Sequence, residues 1–592
     1  MTAAARGSRP TGAAAYGSDL IVDLLHRYGI GLAAMNPGAS FRGLHDSIVN
    51  YGGNRPMLIE CPHEKIAVSL AHGYAKASGT PMAAILHDTV GLLHGAMGIF
   101  YAYLDRAPLL VLGGTGPMAA EKRRPRIDWI HTAALQGNAV REYVKWDDQP
   151  FSVASFPESF ARGYRAAIMQ PQGPVYLCYD AALQEEPLVG EVAIPDPATM
   201  MPTRLHADPG ALDEVAGLLA KAERPLLLAD FLGRDPEGMG LLMELAEAAS
   251  AGVLDLGSRL NVPSLHPLNQ YGTAALEQAD LVVALDVPHL DYAVNRLDRS
   301  SRADSASRIV SRLRPDCRIV EIGFGDLRLN SWSQDFGRLL PTALSILGDP
   351  IAALPTLTER TRERIGAAGN ASAYEARHGA LGRAHVAARS GWQAQAREQW
   401  DASPISTARL ASEIWEVIKA RDWVLTANTL GDWTRRLWDF DRPYRHPGRQ
   451  LGTATQIGMS LGVAFAHKDA GRLVVDIQPD GDLMFDVGAL WVASYYALPM
   501  LVVMYNNRAY YNDWEHQERV ARHRGRDERM AYLGMEIDKP APDFAAIARG
   551  FGWYAEGPFS TPEGVGAAIR RAADYVERER LPALVDIVTQ YR

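Results

Sequence analysis

Two oxygen-rich turns in this sequence each follow a short apolar run. Asp480-Gly481-Asp482 comes just after residues 473–477, and Asn506-Asn507 closes residues 500–505. If those runs are neighbouring parallel strands, both turns lie at strand carboxyl ends, where open α/β sheets hold their ligands. A carboxylate from Asp480, the amide oxygen of Asn507 and a nearby backbone carbonyl suit magnesium. That ion takes oxygen ligands near octahedral geometry and fills its other positions with phosphate oxygens and water. Upstream, Asn428-Thr429-Leu430-Gly431 follows another apolar run, and Gly452-Thr453-Ala454-Thr455 precedes a helix-like stretch. Small and hydroxyl residues of this kind let backbone N–H groups approach a phosphate closely. Taken singly, Asp-Gly and Asn-Asn are ordinary turn signals; taken together they predict a metal-held diphosphate.

A second set of polar residues lies in the first third. Glu64 closes Glu60-Cys61-Pro62-His63-Glu64 and opens a helix-like run ending at Gly79. A glutamate there either stabilises a helix N-terminus or handles protons. His87 follows the apolar run 82–86, and Ser40 comes after the Pro37-Gly38 turn. His63, His94, His289 and Tyr511 complete the candidates for substrate contact.

The elements that must position these groups follow an α/β rhythm. Apolar runs at 32–35, 82–86, 109–112, 225–229, 252–256, 281–285, 318–322, 423–427, 473–477, 500–505 and 583–588 alternate with amphipathic segments. That is the pattern of mainly parallel sheets covered by helices, arranged here as three doubly wound domains. The expected division is a flexible leader (1–16), a first domain (17–185), a Pro-rich linker (186–208), a central domain (209–352), a helical connection (353–400) and a last domain (401–592). A length of 592 residues exceeds what one core supports. The net charge of −9 argues against nucleic acid as a partner. No apolar run reaches the roughly 18 residues of a membrane helix. Three scattered cysteines offer neither a disulfide framework nor a zinc site, which suits a cytoplasmic protein.

Asp480 and Asn507 stand 27 residues apart, and this spacing resembles the signature of thiamine-diphosphate-dependent enzymes. The stretch around Glu64, the run from His87-Asp88-Thr89 to Ala107-Pro108, and Ala489-Leu490-Trp491 through Asn507 are similar to acetolactate synthases and benzoylformate decarboxylases. The resemblance covers about Gly17 to Val588. It implies thiamine diphosphate and Mg2+ as cofactors, with Asp480, Asn507 and the Ala509 carbonyl as metal ligands. Asn428, Thr429, Gly452, Thr453, Gly481 and Asp482 would then line the cofactor. Glu64 matches the glutamate that activates the cofactor through its pyrimidine ring, and His87 matches a catalytic histidine of the benzoylformate decarboxylase group.

By the same resemblance the reaction is a lyase or carboligase step on a 2-oxo acid or 2-hydroxy ketone, through a C2 ylid and an enamine. Alternatives are a 2-hydroxyacyl-CoA lyase, an acetolactate-synthase-like transferase, or a non-catalytic relative that binds the cofactor. FAD is not expected, because Leu285-Asp286-Val287-Pro288-His289-Leu290 stands where FAD-binding relatives carry an arginine-rich motif. A homodimer or homotetramer is implied, with Glu64 and Asp480 meeting across the chain interface.

Overall fold

The computed structural model describes residues 12–298, 308–328, 336, 338–369, 371–427, 430–448 and 452–591. Three parallel sheets form three α/β domains in chain order. The first contains β1 (Leu32–Met35), β2 (Met57–Glu60), β3 (Met82–Leu86), β4 (Leu109–Thr115), β5 (Asp147–Asp148) and β6 (Val175–Asp180), in the order β2-β1-β3-β4-β6-β5. The chain reverses its direction of growth between β1 and β3, so the loops leaving these two strands frame a crevice at the sheet's carboxyl edge. Ser40 and His87 lie on those two loops.

The central sheet uses β7 (Pro225–Ala229), β8 (Gly252–Asp255), β9 (Leu281–Leu285), β12 (Arg318–Gly323) and β13 (Leu344–Leu347), in the order β13-β12-β9-β7-β8. A separate antiparallel pair joins β10 (Asn295–Asp298) to β11 (Arg308–Ser311). Helices Pro350–Ala368 and Ala371–Gln395 follow the central sheet, and Ile351, Leu354 and Leu357 of the first pack into the central domain's core. The last sheet holds β14 (Trp423–Ala427), β15 (Leu473–Pro479), β16 (Met500–Asn506), β17 (Tyr554–Phe559) and β18 (Ala583–Val588), in the order β14-β15-β16-β18-β17.

Strands β3, β7, β9, β14 and β16 are buried along their whole length. They are flanked on both faces by helices, which is why they read as continuous apolar runs rather than alternating ones. Part of the expected leader is tied down: Tyr16 bridges Pro187, and Leu188 donates its N–H to the Ala15 carbonyl. The expected linker is docked as well, with Leu188, Val192, Ile194 and Met200 packed on the first domain's core. No helix among the described residues is long and apolar enough to cross a membrane.

One core joins the first and last domains, running from Ile66, Val68 and Leu70 to Ile457, Leu461 and Val463. Its seam is the contact between helix Glu64–Ser78 and helix Gln456–His467. Glycines make the close approach possible. A Cβ on Gly73 would lie 1.9 Å from the Met459 carbonyl oxygen, and one on Gly462 2.0 Å from the Leu70 carbonyl oxygen. Gly458 packs on Ser69, so the two helices run in the same direction with their N-termini at one end. Because both obstructing atoms are backbone, Gly462→Ala is expected to destabilise the protein by about 1–3 kcal/mol or more. Urea unfolding checks this, and an unchanged midpoint would mean the seam is loose.

Candidate active site

Strands β15 and β16 are parallel neighbours, with Pro479 opposite Tyr505. Asp480 and Asn506 are therefore the next residues in step, and the two oxygen-rich turns lie side by side. Asp480 starts helix Asp480–Phe485 and is 2% exposed. Its Oδ1 accepts the Gly481 N–H at 2.9 Å, whereas its buried Oδ2 has no hydrogen-bond partner. Burial pushes the carboxyl up to about 6, against the pull of the N–H groups of Gly481, Arg508 and Ala509. Asn507 belongs to the same turn: its Oδ1 accepts the Ala509 N–H at 3.0 Å, and its amide donates to the Tyr505 hydroxyl at 3.4 Å. A carboxylate oxygen without a partner, facing a turn that carries an amide oxygen, suits a hard dication, since buried charge is otherwise costly.

The raised Asp480 pKa has a measurable consequence. The unfolded carboxyl titrates near its ordinary value of 3.8 and the folded one near 6. The cost of ionising it is thus fully felt above pH 6, shrinks as pH falls, and is gone near pH 4. In metal-free protein, Asp480→Asn is expected to be more stable than the wild type at pH 8, by up to about 3 kcal/mol. The difference should be roughly halved by pH 5. Thermal unfolding in EDTA across this range tests it, and a constant difference would exclude titration of Asp480 as its source.

Loop 452–454 borders the same turn. Gly452, Thr453 and Ala454 all take positive φ, at 84°, 51° and 66°, a conformation that costs the two non-glycine residues about 1–2 kcal/mol each. Three contacts hold it. The Tyr101 hydroxyl donates to Thr453 Oγ1 at 2.8 Å, Thr455 Oγ1 donates to the Gly452 carbonyl at 3.0 Å, and the Asp482 carboxylate accepts the Ala454 N–H. Asp482 is therefore turned toward the loop backbone. Beneath the loop, Gln456 donates to the fully buried Asp476 at 3.1 Å, and burial lifts Asp476 to about 7. Asn428 and Thr429 lie outside the described residues.

Glu64 opens helix Glu64–Ser78 and is 5% exposed. Its Oε2 lies 3.2 Å from His94 Nδ1, and the His94 ring stacks on His63 at 4.9 Å. His63 accepts the Lys65 N–H and so caps the helix. Lys65 then reaches across to the last domain, pairing with Asp486 at 3.2 Å and lying over the Phe485 ring. Within one chain, the start of the Glu64 helix is thus tied to the end of the Asp480 helix.

His87 leaves β3 and is pinned between Gly38 and Gly91, where added Cβ atoms would come within 2.6 and 2.8 Å of it. The Gly91 position also lies 3.2 Å from Glu64 Oε1, so His87 and Glu64 flank one glycine. His87 Nδ1 bonds the buried Ser40 hydroxyl at 2.8 Å. Burial lowers the His87 pKa, opposed by Asp88.

Two regions of this chain match family descriptions. Residues 16–139 match "Thiamine pyrophosphate enzyme, N-terminal TPP binding domain", and residues 429–587 match the corresponding C-terminal TPP binding domain. Each contains one half of the geometry above. The chain belongs to the thiamine-diphosphate-dependent enzyme superfamily. It is 23% identical to benzoylformate decarboxylase of Pseudomonas aeruginosa, over 96% of this chain and 98% of that one. It is also 23% identical to a chloroplastic acetolactate synthase of Arabidopsis thaliana, over 83% of this chain and 70% of the relative. Among solved structures, benzoylformate decarboxylase from Polynucleobacter necessarius superposes with a TM-score of 0.76 at 17% identity, covering 99% of both chains. A 4-hydroxybenzoylformate decarboxylase from Rhodococcus jostii RHA1 gives a TM-score of 0.73 at 16% identity, covering 98% of this chain and 99% of that one. The three-domain α/β fold is shared with these.

Other candidates of this thiamine-diphosphate enzyme fall outside the two clusters. His289 is exposed at the start of helix Leu290–Val294 in the central domain. Tyr511 stacks on Tyr591 at 4.5 Å, facing the chain's end. The aromatic ring at the Asp480 turn is its neighbour Tyr510, which a Cβ on Gly481 would meet at 2.5 Å. Asp286, where FAD-binding relatives carry their motif, is locked between Arg106 and Arg234. Sequence reading passed over His131 and Asp88, which stand beside His87. Asp88 adjoins a residue already singled out, but nothing in the Ile127–His131 segment marks its histidine. A cavity of about 330 Å³ opens elsewhere, between β8, helix Ala371–Gln395 and Arg435, with Arg389 and Trp392 in its wall.

Proposed function

We propose that this protein is a thiamine-diphosphate-dependent lyase or carboligase that breaks or forms the bond next to the carbonyl of a 2-oxo acid or 2-hydroxy ketone. The reading is carried by the buried, unpartnered Asp480 Oδ2 beside the Asn507–Ala509 turn. Asp480, Asn507 and the Ala509 carbonyl would hold Mg2+, and Gly452, Thr453, Gly481, Asn428 and Thr429 the diphosphate. When bound, thiamine diphosphate supplies a carbon nucleophile and an electron sink.

The chain's own residues supply position and proton traffic. Glu64 holds an exchangeable proton for the pyrimidine end, its carboxyl steadied by His94 at 3.2 Å. His87 is kept in one orientation by Ser40, so that its Nε2 is presented to the reacting end of the substrate. A hydroxyl residue stands at this place in acetolactate synthases. The histidine favours the lyase reading over an acetolactate-synthase-like transferase, because an imidazole, unlike a hydroxyl, can accept a proton and return it in one cycle. The assembly proposed is a homodimer or homotetramer with the active sites at its chain interface. Exposed Val90 and Leu93 on one side of the site and Met484 and Phe485 on the other are apolar surface that a second chain would cover.

Two measurements test the reading. Mass spectrometry of small molecules released from the denatured pure protein should find thiamine diphosphate. A panel of aryl and alkyl 2-oxo acids should then show Mg2+-dependent CO2 release with at least one member. Protein that carries and takes up no thiamine diphosphate ends the assignment.

A further inference from the structure

We propose that His87, Asp88 and His131 form a second metal site, for a transition-metal dication of the zinc or cobalt type, separate from the Asp480 turn. The group lies at the carboxyl ends of β3 and β4, beside the crevice between β1 and β3. His87 and Asp88 leave β3, and His131 ends helix Ile127–His131 in the segment after β4. His87 Nε2 is 3.6 Å from Asp88 Oδ1, and His131 Nδ1 is 3.9 Å from Asp88 Oδ2. One donor atom from each of the three residues falls within 4.8 Å of the others.

Those separations are too long for hydrogen bonds, which close at about 2.7–3.2 Å. They do suit three ligands around one ion, because bonds of about 2.1 Å at tetrahedral angles set ligand atoms about 3.4 Å apart. Two of the donor atoms also lack a hydrogen-bond partner. Asp88 is 3% exposed, yet its Oδ1 has no hydrogen bond, and neither does the buried His131 Nδ1. Leaving such atoms buried and unsatisfied is unfavourable, and a bound ion removes that penalty.

The surroundings are arranged as for a ligand. Ser40 engages His87 Nδ1 at 2.8 Å, fixing the ring and leaving Nε2 for the ion, as outer-shell partners of metal-bound histidines do. Two imidazoles and one carboxylate select zinc, cobalt, nickel, iron or manganese over the all-oxygen preference of magnesium. The neighbouring group His63, Glu64 and His94 also brings three donors together. There, however, Glu64 already bonds His94 at 3.2 Å and the His94 side chain is 59% exposed, so its donors are already engaged or open to solvent. His87 is shared with the proposed active site. An ion on its Nε2 withdraws that nitrogen from the substrate, which makes the site inhibitory.

The test uses full-length untagged protein stripped with EDTA and kept free of thiamine diphosphate and magnesium, so it does not depend on the catalytic reading. Cobalt(II) is titrated while visible absorption and calorimetric heat are followed. One equivalent is expected to bind, with ligand-field bands that zinc(II) abolishes. Asp88→Asn and His131→Gln should each weaken binding at least about 10-fold, whereas Glu64→Gln and Asp480→Asn leave it unchanged. Circular dichroism checks that the variants fold, and His131→Gln alone decides the matter if Asp88→Asn does not. Wild-type protein that binds no cobalt overturns the proposal. So does binding that survives His131→Gln, or binding lost in Glu64→Gln, which would move the ion to the His63 group.

Discussion

Glu64→Gln is expected to lower turnover by about 10²–10⁴-fold while thiamine diphosphate stays bound. The substitution keeps the side chain's shape and its place at the helix start, 5% exposed and beside His94. What it removes is the exchangeable proton. The residues proposed to bind the diphosphate lie on the other side of the site, on the 452–454 loop and the Asp480 turn, and do not touch Glu64. The loss should therefore appear in kcat, with the cofactor content of the purified variant unchanged. Turnover is measured with whichever 2-oxo acid the wild type cleaves, and bound cofactor by mass spectrometry. A variant as active as the wild type would remove Glu64 from the reaction. An inactive variant that had also lost its cofactor would point to a binding role instead.

Asp480→Asn is the second large effect, and it acts at the opposite end. The amide preserves volume and can still accept the Gly481 N–H, but it takes away the charge that the metal needs. Mg2+-dependent uptake of thiamine diphosphate is expected to weaken by about 100-fold or more, equivalent to about 3 kcal/mol. The same substitution relieves a buried carboxylate whose pKa is pushed up to about 6. The variant should thus be worse at holding its cofactor and, without metal, more stable at pH 8. Isothermal titration of thiamine diphosphate in the presence of Mg2+ measures the first of these. Unaltered affinity would place the metal elsewhere.

These opposite effects follow from where the residue sits. A site that must grip a dication keeps an oxygen desolvated and without a partner until the ion arrives, at a cost to the metal-free fold. Asp476 and Asp586 lie in the same sheet, are both 0% exposed, and are lifted to about 7 and about 6. Asp586 accepts the Asn506 amide at 2.9 Å, bracing the strand end that presents Asn507. The last domain thus concentrates buried carboxylates along the edge where the proposed ion would sit.

The sequence by itself determined the α/β class and most of the central strands, and it showed that the Asp480 and Asn507 turns close two of them. β1, β3, β7, β9, β14 and β18 begin and end where their apolar runs do, because a strand buried on both faces leaves an uninterrupted apolar signature. The positions of Asp480 and Asn507 were legible for a local reason: each closely follows such a run, so naming the strands placed both turns at neighbouring strand ends. The strands that were not read are those whose signal is diluted. β2 is only partly buried, and β17 is interrupted at Gly557-Pro558, with a register shift between Glu556 and Phe559. Only the tertiary structure decided the rest. It turned Asp482 onto the loop backbone, chose Tyr510 over Tyr511 as the ring against the Asp480 turn, and brought His131 to Asp88 from a short helix with no periodic pattern. Such placements depend on how β3 and β4 stack side by side and how two glycine-bearing helices close on each other. These are contacts between residues far apart in the chain, and no local spacing encodes them.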